Sequence, residues 1–175
     1  MILVQNIIIR NVKKEDLWDV SRIAIDGWRN AYKGIIDDEF LNNLKVEDTY
    51  NKRLKDYNEN GFIVAEINNE IVGFCRYTKN NLFSRELEKI DCELCAIYVK
   101  PDLKQQGIGT ALFKYVIEEQ KNNNNKNMIL WCLKENYNSR KFYEKMGGNI
   151  YCENEIEKGG KKYKEIGYMF DLSKL

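Results

Sequence analysis

Histidine is absent from this chain of 175 residues. That removes Ser-His-Asp and Cys-His nucleophile systems and every metal site that uses imidazole. Any general base must be a carboxylate, a tyrosine, a cysteine or a relayed water. No apolar run reaches the roughly 18 residues a membrane span needs, so no membrane span is expected. The opening Met-Ile-Leu-Val lacks the basic start and long apolar core of a secretion signal, and a cytoplasmic protein is expected. Excess charge of one sign is missing too. The 28 basic residues face 27 acidic ones, which argues against a nucleic-acid partner. The five cysteines are odd in number and are expected as reduced thiols. Cys92 and Cys95 lie on an expected strand at an odd spacing, which sends their side chains to opposite faces. They read as small buried hydrophobes rather than a redox pair at a helix start. No second close pair completes a four-cysteine zinc site, so no metal is expected.

What is present suits one domain over residues 1–175, since a chain of this length buries roughly 70% of its unfolded surface. The stretch from Glu93 to Tyr115 reads E-L-C-A-I-Y-V-K-P-D-L-K-Q-Q-G-I-G-T-A-L-F-K-Y. Residues 93–99 are rich in strand formers. Pro101 then stops regular pairing, because it has no N–H to give. After a polar loop, Ile108, Ala111, Leu112, Tyr115 and Val116 carry the spacing of one amphipathic helix face. Gly107 and Gly109 sit where that helix begins. A helix start has about four unpartnered N–H groups and a partial positive charge, and glycines clear side chains from it. The result is a cradle for phosphate, although an ordinary tight turn fits the same residues. Leu112 stands where a Rossmann fingerprint needs its third glycine. Thr110 stands where a Walker loop needs lysine.

Downstream, Asn136 to Gly147 reads N-Y-N-S-R-K-F-Y-E-K-M-G. The K-Q-Q-G-I-G loop after Y-V-K-P resembles the acyl-CoA loop of the GNAT superfamily of N-acyltransferases. The Asn-to-Phe-Tyr helix with its Gly stop is similar to a second segment of that family. Two departures stand out: Lys104 where Arg or Gln is usual, and Gly148 where Phe is common. The resemblance implies an α/β fold with a mixed, twisted sheet, helices on both faces and two central parallel strands that splay apart. It implies acetyl-CoA as co-substrate and a small-molecule or peptide amine as acceptor. Relatives often dimerise, and a homodimer is left open.

Taken in order, the chain predicts strands at 7–12, 62–67, 71–77, 90–99, 128–133, 149–153 and 162–172. Helices are expected over 15–28, from Asp38, over 46–57, from the glycine pair to about 121, and over 139–146. Asp37 reads as a helix cap, with Ile36 and Leu41 as a hydrophobic staple. Asn68-Asn69-Glu70 reads as a hairpin turn. Residues 80–89 and the asparagine run 122–125 read as solvated connections. The expected order is β-α-α-β-β-β-α-β-α-β-β.

The resemblance also assigns roles. Amides of Ile97 and Val99 would face the thioester and its pantetheine arm, with Tyr98 between them counted as coenzyme-binding, and a fixed N–H gains value as charge develops there. Amides of Gln105, Gln106, Gly107, Ile108, Gly109 and Thr110 would hold the diphosphate. Asn136, with Ser139 close by, would bond the arm. Lys104, Arg140 and Lys141 are cations for phosphate, or solvated surface. Tyr143 would protonate the departing thiolate, and Glu93 would take the amine proton or orient a cationic acceptor. Trp28, Tyr32 and Phe40 would wall the acceptor site, or simply pack the core. Acidic Asp37, Asp38, Glu39, Glu86, Glu88 and Asp91 would attract a cation, or lie solvated. Two other classes compete: a non-catalytic acyl-CoA-binding module, and a nucleotide binder using the same loop.

Overall fold

The computed structural model describes residues 6–79 and 87–175. Of the expected loop at 80–89, residues 80–86 lie outside the described set, as does Glu86 of the acidic group. The elements are β1 (Ile8–Asn11), α1 (Leu17–Ala31), α2 (Asp38–Asn43), α3 (Val46–Lys55), β2 (Phe62–Ile67), β3 (Glu70–Thr78), β4 (Cys92–Val99), α4 (Ile108–Asn122), β5 (Asn127–Leu133), α5 (Tyr137–Lys145), β6 (Asn149–Lys158) and β7 (Lys161–Asp171). Three helices, not two, separate β1 from β2. Among the described residues no helix is long and apolar enough to cross a membrane.

The strands form one sheet in the order β1-β2-β3-β4-β5-β7-β6. Every neighbouring pair is antiparallel except β4 with β5. Strand alternation divides the core between the sheet's two faces. Val72, Cys75 and Tyr77 of β3 join Leu112, Phe113 and Val116 of α4. Ile71 and Phe74 join Leu17, Val20 and Ile23 of α1 on the other face. At the chain's start, Asp16 accepts from Arg10 at 2.7 and 3.1 Å and from the Lys13 amide at 2.7 Å. This ties β1 to the start of α1.

Several boundaries differ from the sequence expectation. α5 begins at Tyr137 because Asn136 caps it, its Oδ1 accepting from the Ser139 amide at 3.3 Å. β6 runs on to Lys158, and the hairpin to β7 turns on Gly159 and Gly160 alone, at φ +58° and +75°. The extension was hidden because both faces of β6 are largely exposed, so no apolar alternation marks it.

One break in the sheet matters for everything below. β4 and β5 pair only at Cys92 with Met128 and Glu93 with Ile129. Beyond those two positions the strands part.

Candidate active site

The gap between β4 and β5 opens where β4 is bulged. Tyr77 of β3 pairs with Leu94 and Arg76 with Ala96, so Cys95 is an extra residue. The bulge turns the strand over. Before it, Cys92 and Leu94 face the α4 side; after it, Ile97 and Val99 do. Ala96 and Tyr98 face the α1 side. Cys95 itself is exposed, which corrects the expectation that both cysteines of the pair are buried. The amide of Lys100 donates to the Val72 carbonyl at 2.9 Å. By alternation the Tyr98 amide also turns toward β3, and those of Ile97 and Val99 turn toward the gap.

A cavity of about 260 Å³ fills this gap. Ile97, Tyr98 and Val99 line it from β4, and Leu130 to Leu133 from β5. Lys104, Asn136, Ser139 and Tyr143 complete its wall, with Trp28 and Tyr32 at the α1 end. Seven of the expected site residues therefore meet in one space. Glu93 does not line it. Its side chain is buried on the α1 face of β4, and its amide donates to Thr78 Oγ1 at 3.2 Å.

The loop ahead of α4 adjoins Val99 through Pro101–Leu103, a single 3-10 turn. Gln105 and Gly107 adopt φ +64° and +83°. Gly107 is required by that backbone angle, since a Cβ there would touch nothing. Gly109 is different: its φ is ordinary, and a Cβ would make only normal contacts, at 3.7 Å to Val99 and 3.8 Å to Phe142. Space inside the protein does not explain it. The amides from Gln105 to Gly107 donate to no backbone carbonyl in the described residues outside the regular elements. Those of Ile108 to Thr110 are first-turn donors of the helix. Lys104 bonds Asn30 Oδ1 at 2.6 Å, joining this loop to α1, and burial lowers its ammonium pKa. Arg140 is committed elsewhere, to Tyr168 Oη and the Lys134 carbonyl, each at 2.9 Å. It is not free for phosphate.

Three tyrosines converge on the cavity. The hydroxyls of Tyr32 and Tyr98 lie 3.2 Å apart. Tyr143 packs against Phe142 and Tyr168, with ring centroids at 5.5 and 6.1 Å. Burial pushes the Tyr143 phenol well above its ordinary value, with Cys132 and Tyr98 adding to the effect. Burial and then Tyr98 do the same for Tyr32. Both hydroxyls therefore stay protonated at neutral pH and can donate. The Cys132 thiol, pushed up to about 12 chiefly by burial, is no ready thiolate.

Sequence reasoning missed two residues here. Glu165 of β7 lines the cavity. Burial raises its carboxyl above the usual range, against opposing pulls from Asn154 and Lys158. A single half-buried carboxylate in a charged strand, K-K-Y-K-E-I, leaves no pattern to read. Gly27 sits inside α1 because Tyr98 lies against it; a Cβ there would come within 2.6 Å of Tyr98 Cδ1. A glycine in a helix interior was the available signal. Two of the acidic residues are already engaged within the fold. Asp37 caps α2 and pairs with Lys161, and Asp91 accepts from the Lys126 and Asn127 amides at 2.8 and 2.9 Å. Trp28, Tyr32 and Phe40 pack with Ile36, Leu41 and Leu133 while Trp28 and Tyr32 also wall the cavity.

The chain resembles known proteins in both sequence and structure. It is 34% identical over 157 residues to an uncharacterized N-acetyltransferase of Methanocaldococcus jannaschii, covering 90% of this chain and 66% of that relative, just under two thirds of its length. It is 29% identical over 168 residues to an uncharacterized N-acetyltransferase of Bacillus subtilis, covering 95% of each. Among solved structures, the PaiA N-acetyltransferase of Thermoplasma acidophilum, in complex with coenzyme A, superposes with a TM-score of 0.71 at 19% identity, covering 95% of this chain and 99% of that one. The sequence model of the acetyltransferase (GNAT) family matches residues 28–148, a span holding the splayed strands, the glycine loop and Tyr143. The chain belongs to the GNAT family of acetyltransferases.

Proposed function

We propose that the protein moves an acetyl group from acetyl-CoA to a primary amine, by direct attack in a ternary complex. One observation carries the reading: β4 and β5 separate after two paired residues, which by strand alternation leaves the Ile97 and Val99 amides turned toward the opening. An extended pantetheine arm needs such a sheet edge, and the adjoining loop offers its amides to a diphosphate. Lys104, Gln105, Gln106, Gly107, Ile108, Gly109 and Thr110 make that loop. Asn136 and Ser139 stand along the arm's path.

The attacking amine must first lose a proton. With a pKa near 10 it is about 0.1% neutral at pH 7, a deficit of roughly 4 kcal/mol. Glu93 is the proposed base, acting through water from its place beside the bulge. Glu165 is a second candidate, favoured by lining the cavity and by a carboxyl that burial raises above its usual range, the direction a general base needs. As the amine attacks, the thioester oxygen gains negative charge beside fixed N–H groups. Tyr143 then gives its proton to the departing sulfur. Its high pKa makes it a weak acid, but the same dry surroundings raise the thiolate's proton affinity as well.

The test is thiol release from acetyl-CoA over a library of amines, with Tyr143→Phe alongside. Tyr143 Oη has no hydrogen-bond partner among the described residues, so the variant should keep its stability. Turnover should fall about tenfold to a thousandfold, with the acetyl-CoA affinity little changed. A non-catalytic acyl-CoA-binding module would bind the coenzyme and release no thiol with any amine. Unaltered turnover would remove Tyr143 from the mechanism. The base is assigned by Glu93→Gln and Glu165→Gln, since only loss of the true base abolishes the acidic limb of the pH–rate profile.

A further inference from the structure

A second, larger cavity of about 760 Å³ lies between α3, α2 and the α1 face of the sheet. Arg53 of α3 and Arg76 of β3 both line it. Their guanidinium carbons sit over the same ring, that of Phe62, at 5.6 and 5.4 Å, and Arg53 also lies 4.9 Å from the Phe74 centroid. Those aromatic faces are their only partners among the described residues; neither forms an ion pair or a hydrogen bond there. Lys52 and Lys158 add two cations to the wall, against Asp48 and Asp56. Burial, and then the neighbouring Arg76 charge, push Arg53 down to about 10. Two like charges held close in a half-dry cleft are costly unless an anion joins them. Guanidiniums set over aromatic faces, with no ion-pair partner among the described residues, have N–H groups available for an oxyanion.

The arginine cleft adjoins the transfer site. Trp28 and Lys158 line both cavities. Arg76 pairs across the sheet with Ala96, next to the Cys95 bulge, and Ala96 lines the transfer cavity. Whatever fills the cleft therefore lies next to the transfer cavity rather than at a remote site.

We infer that the acceptor is an acidic amine, whose carboxylate or phosphate is held by Arg53 and Arg76 while its amino group reaches the opening beside the bulge. This rests on the acetyltransferase reading above, and it narrows the acceptor from any amine to one carrying its own oxyanion. It also runs against the cationic acceptors that the acidic residues suggested from sequence.

The experiment compares alkylamines, ω-amino carboxylates and ω-amino alkyl phosphates of matched chain length in the thiol-release assay. Acidic amines should exceed their neutral counterparts in kcat/KM by about tenfold or more. Whichever acidic series leads names the oxyanion. Arg76→Gln and Arg53→Gln should each erase that preference, raising KM for the acidic amine about tenfold more than KM for its neutral counterpart, with KM for acetyl-CoA little changed. Arg76→Lys should restore part of it. If acidic amines are no better than neutral ones, or if both arginine variants slow every amine alike, the inference is overturned and the acetyltransferase reading stands. If no amine releases thiol, the acetyltransferase reading fails instead. Calorimetric titration with succinate and with inorganic phosphate then decides the oxyanion site alone. Binding that Arg76→Gln abolishes supports it, and no binding in the native protein refutes it.

Discussion

Replacing Gly27 with alanine sets two opposite effects against each other at one atom. In a helix interior the exchange should stabilise, because alanine exceeds glycine by about 1 kcal/mol in helix propensity. In α1 the new Cβ would meet Tyr98 at 2.6 Å from Cδ1, 3.3 Å from Cε1 and 3.4 Å from Cγ. Carbon contacts are comfortable at about 3.5–4.0 Å, so the ring must move by roughly 1 Å. It cannot retreat freely, since Phe74 stacks on it at 5.6 Å and 30°. A shift of that size would also break the 3.2 Å contact between the Tyr98 and Tyr32 hydroxyls. Overpacking costs about 1–3 kcal/mol, and the lost hydrogen bond about 1 kcal/mol. Against the helix gain, the net is about 1–3 kcal/mol of destabilisation. For a chain of this size that lowers Tm by about 3–10 °C, read by circular dichroism during heating. Coenzyme affinity should fall in the same variant, because Tyr98 lines the transfer cavity. A rise in Tm would show that helix propensity governs this position and that the contact with Tyr98 is soft.

Further outcomes follow from the same geometry. Gly109→Ala should leave the apoprotein as stable as before, or slightly more so, because its Cβ meets only ordinary contacts. It should weaken coenzyme A binding about tenfold or more by filling the diphosphate cradle, and calorimetry showing undiminished affinity would refute that role for the loop. Gly107→Ala should do the reverse, costing about 1–2 kcal/mol in the apoprotein for its φ of +83°. Asp16→Asn should cost about 2 kcal/mol at pH 7, the worth of charged hydrogen bonds to Arg10. Burial raises the Asp16 carboxyl pKa, but Arg10 and the Lys13 amide outweigh it and hold it below the ordinary value. Its stabilisation is therefore complete above about pH 5, beyond the unfolded carboxyl's range, and is lost as pH falls through the depressed pKa. Denaturation curves of the two proteins should converge in acid, and a constant gap would contradict the assignment.

The strand and helix order was largely legible because most elements bury one face, and burial writes its period into the sequence. α1 and α4 announce themselves this way, whereas β2, β3 and β5 are buried on both faces and read as short continuous apolar runs. β6 does neither, since its outer half has no apolar face to reveal. Gly107 was readable as a loop glycine ahead of a helix, and Asn136 as the head of one. The bulge at Cys95 was not readable. A bulge shifts the alternation by one residue, and the sequence around it, L-C-A-I-Y, is apolar on both sides. Arg53 and Arg76 come from a surface helix and a central strand, and their convergence on Phe62 is a product of packing alone. Glu93 and Glu165 show the limit most plainly. Family resemblance points to the first and cavity geometry to the second, and nothing local in either strand separates a carboxylate that meets substrate from one that does not.

The parting of β4 from β5 has a mechanical side. Two residue pairs form the clasp between a four-stranded ribbon and a three-stranded one, so the halves share few main-chain bonds. A ligand laid along the opening would act as the missing rung, knitting the ribbons into a continuous ladder. Occupancy would then be felt as stiffness. Amide exchange at Ile97 and Val99 would slow most, and the two halves would melt together rather than in sequence.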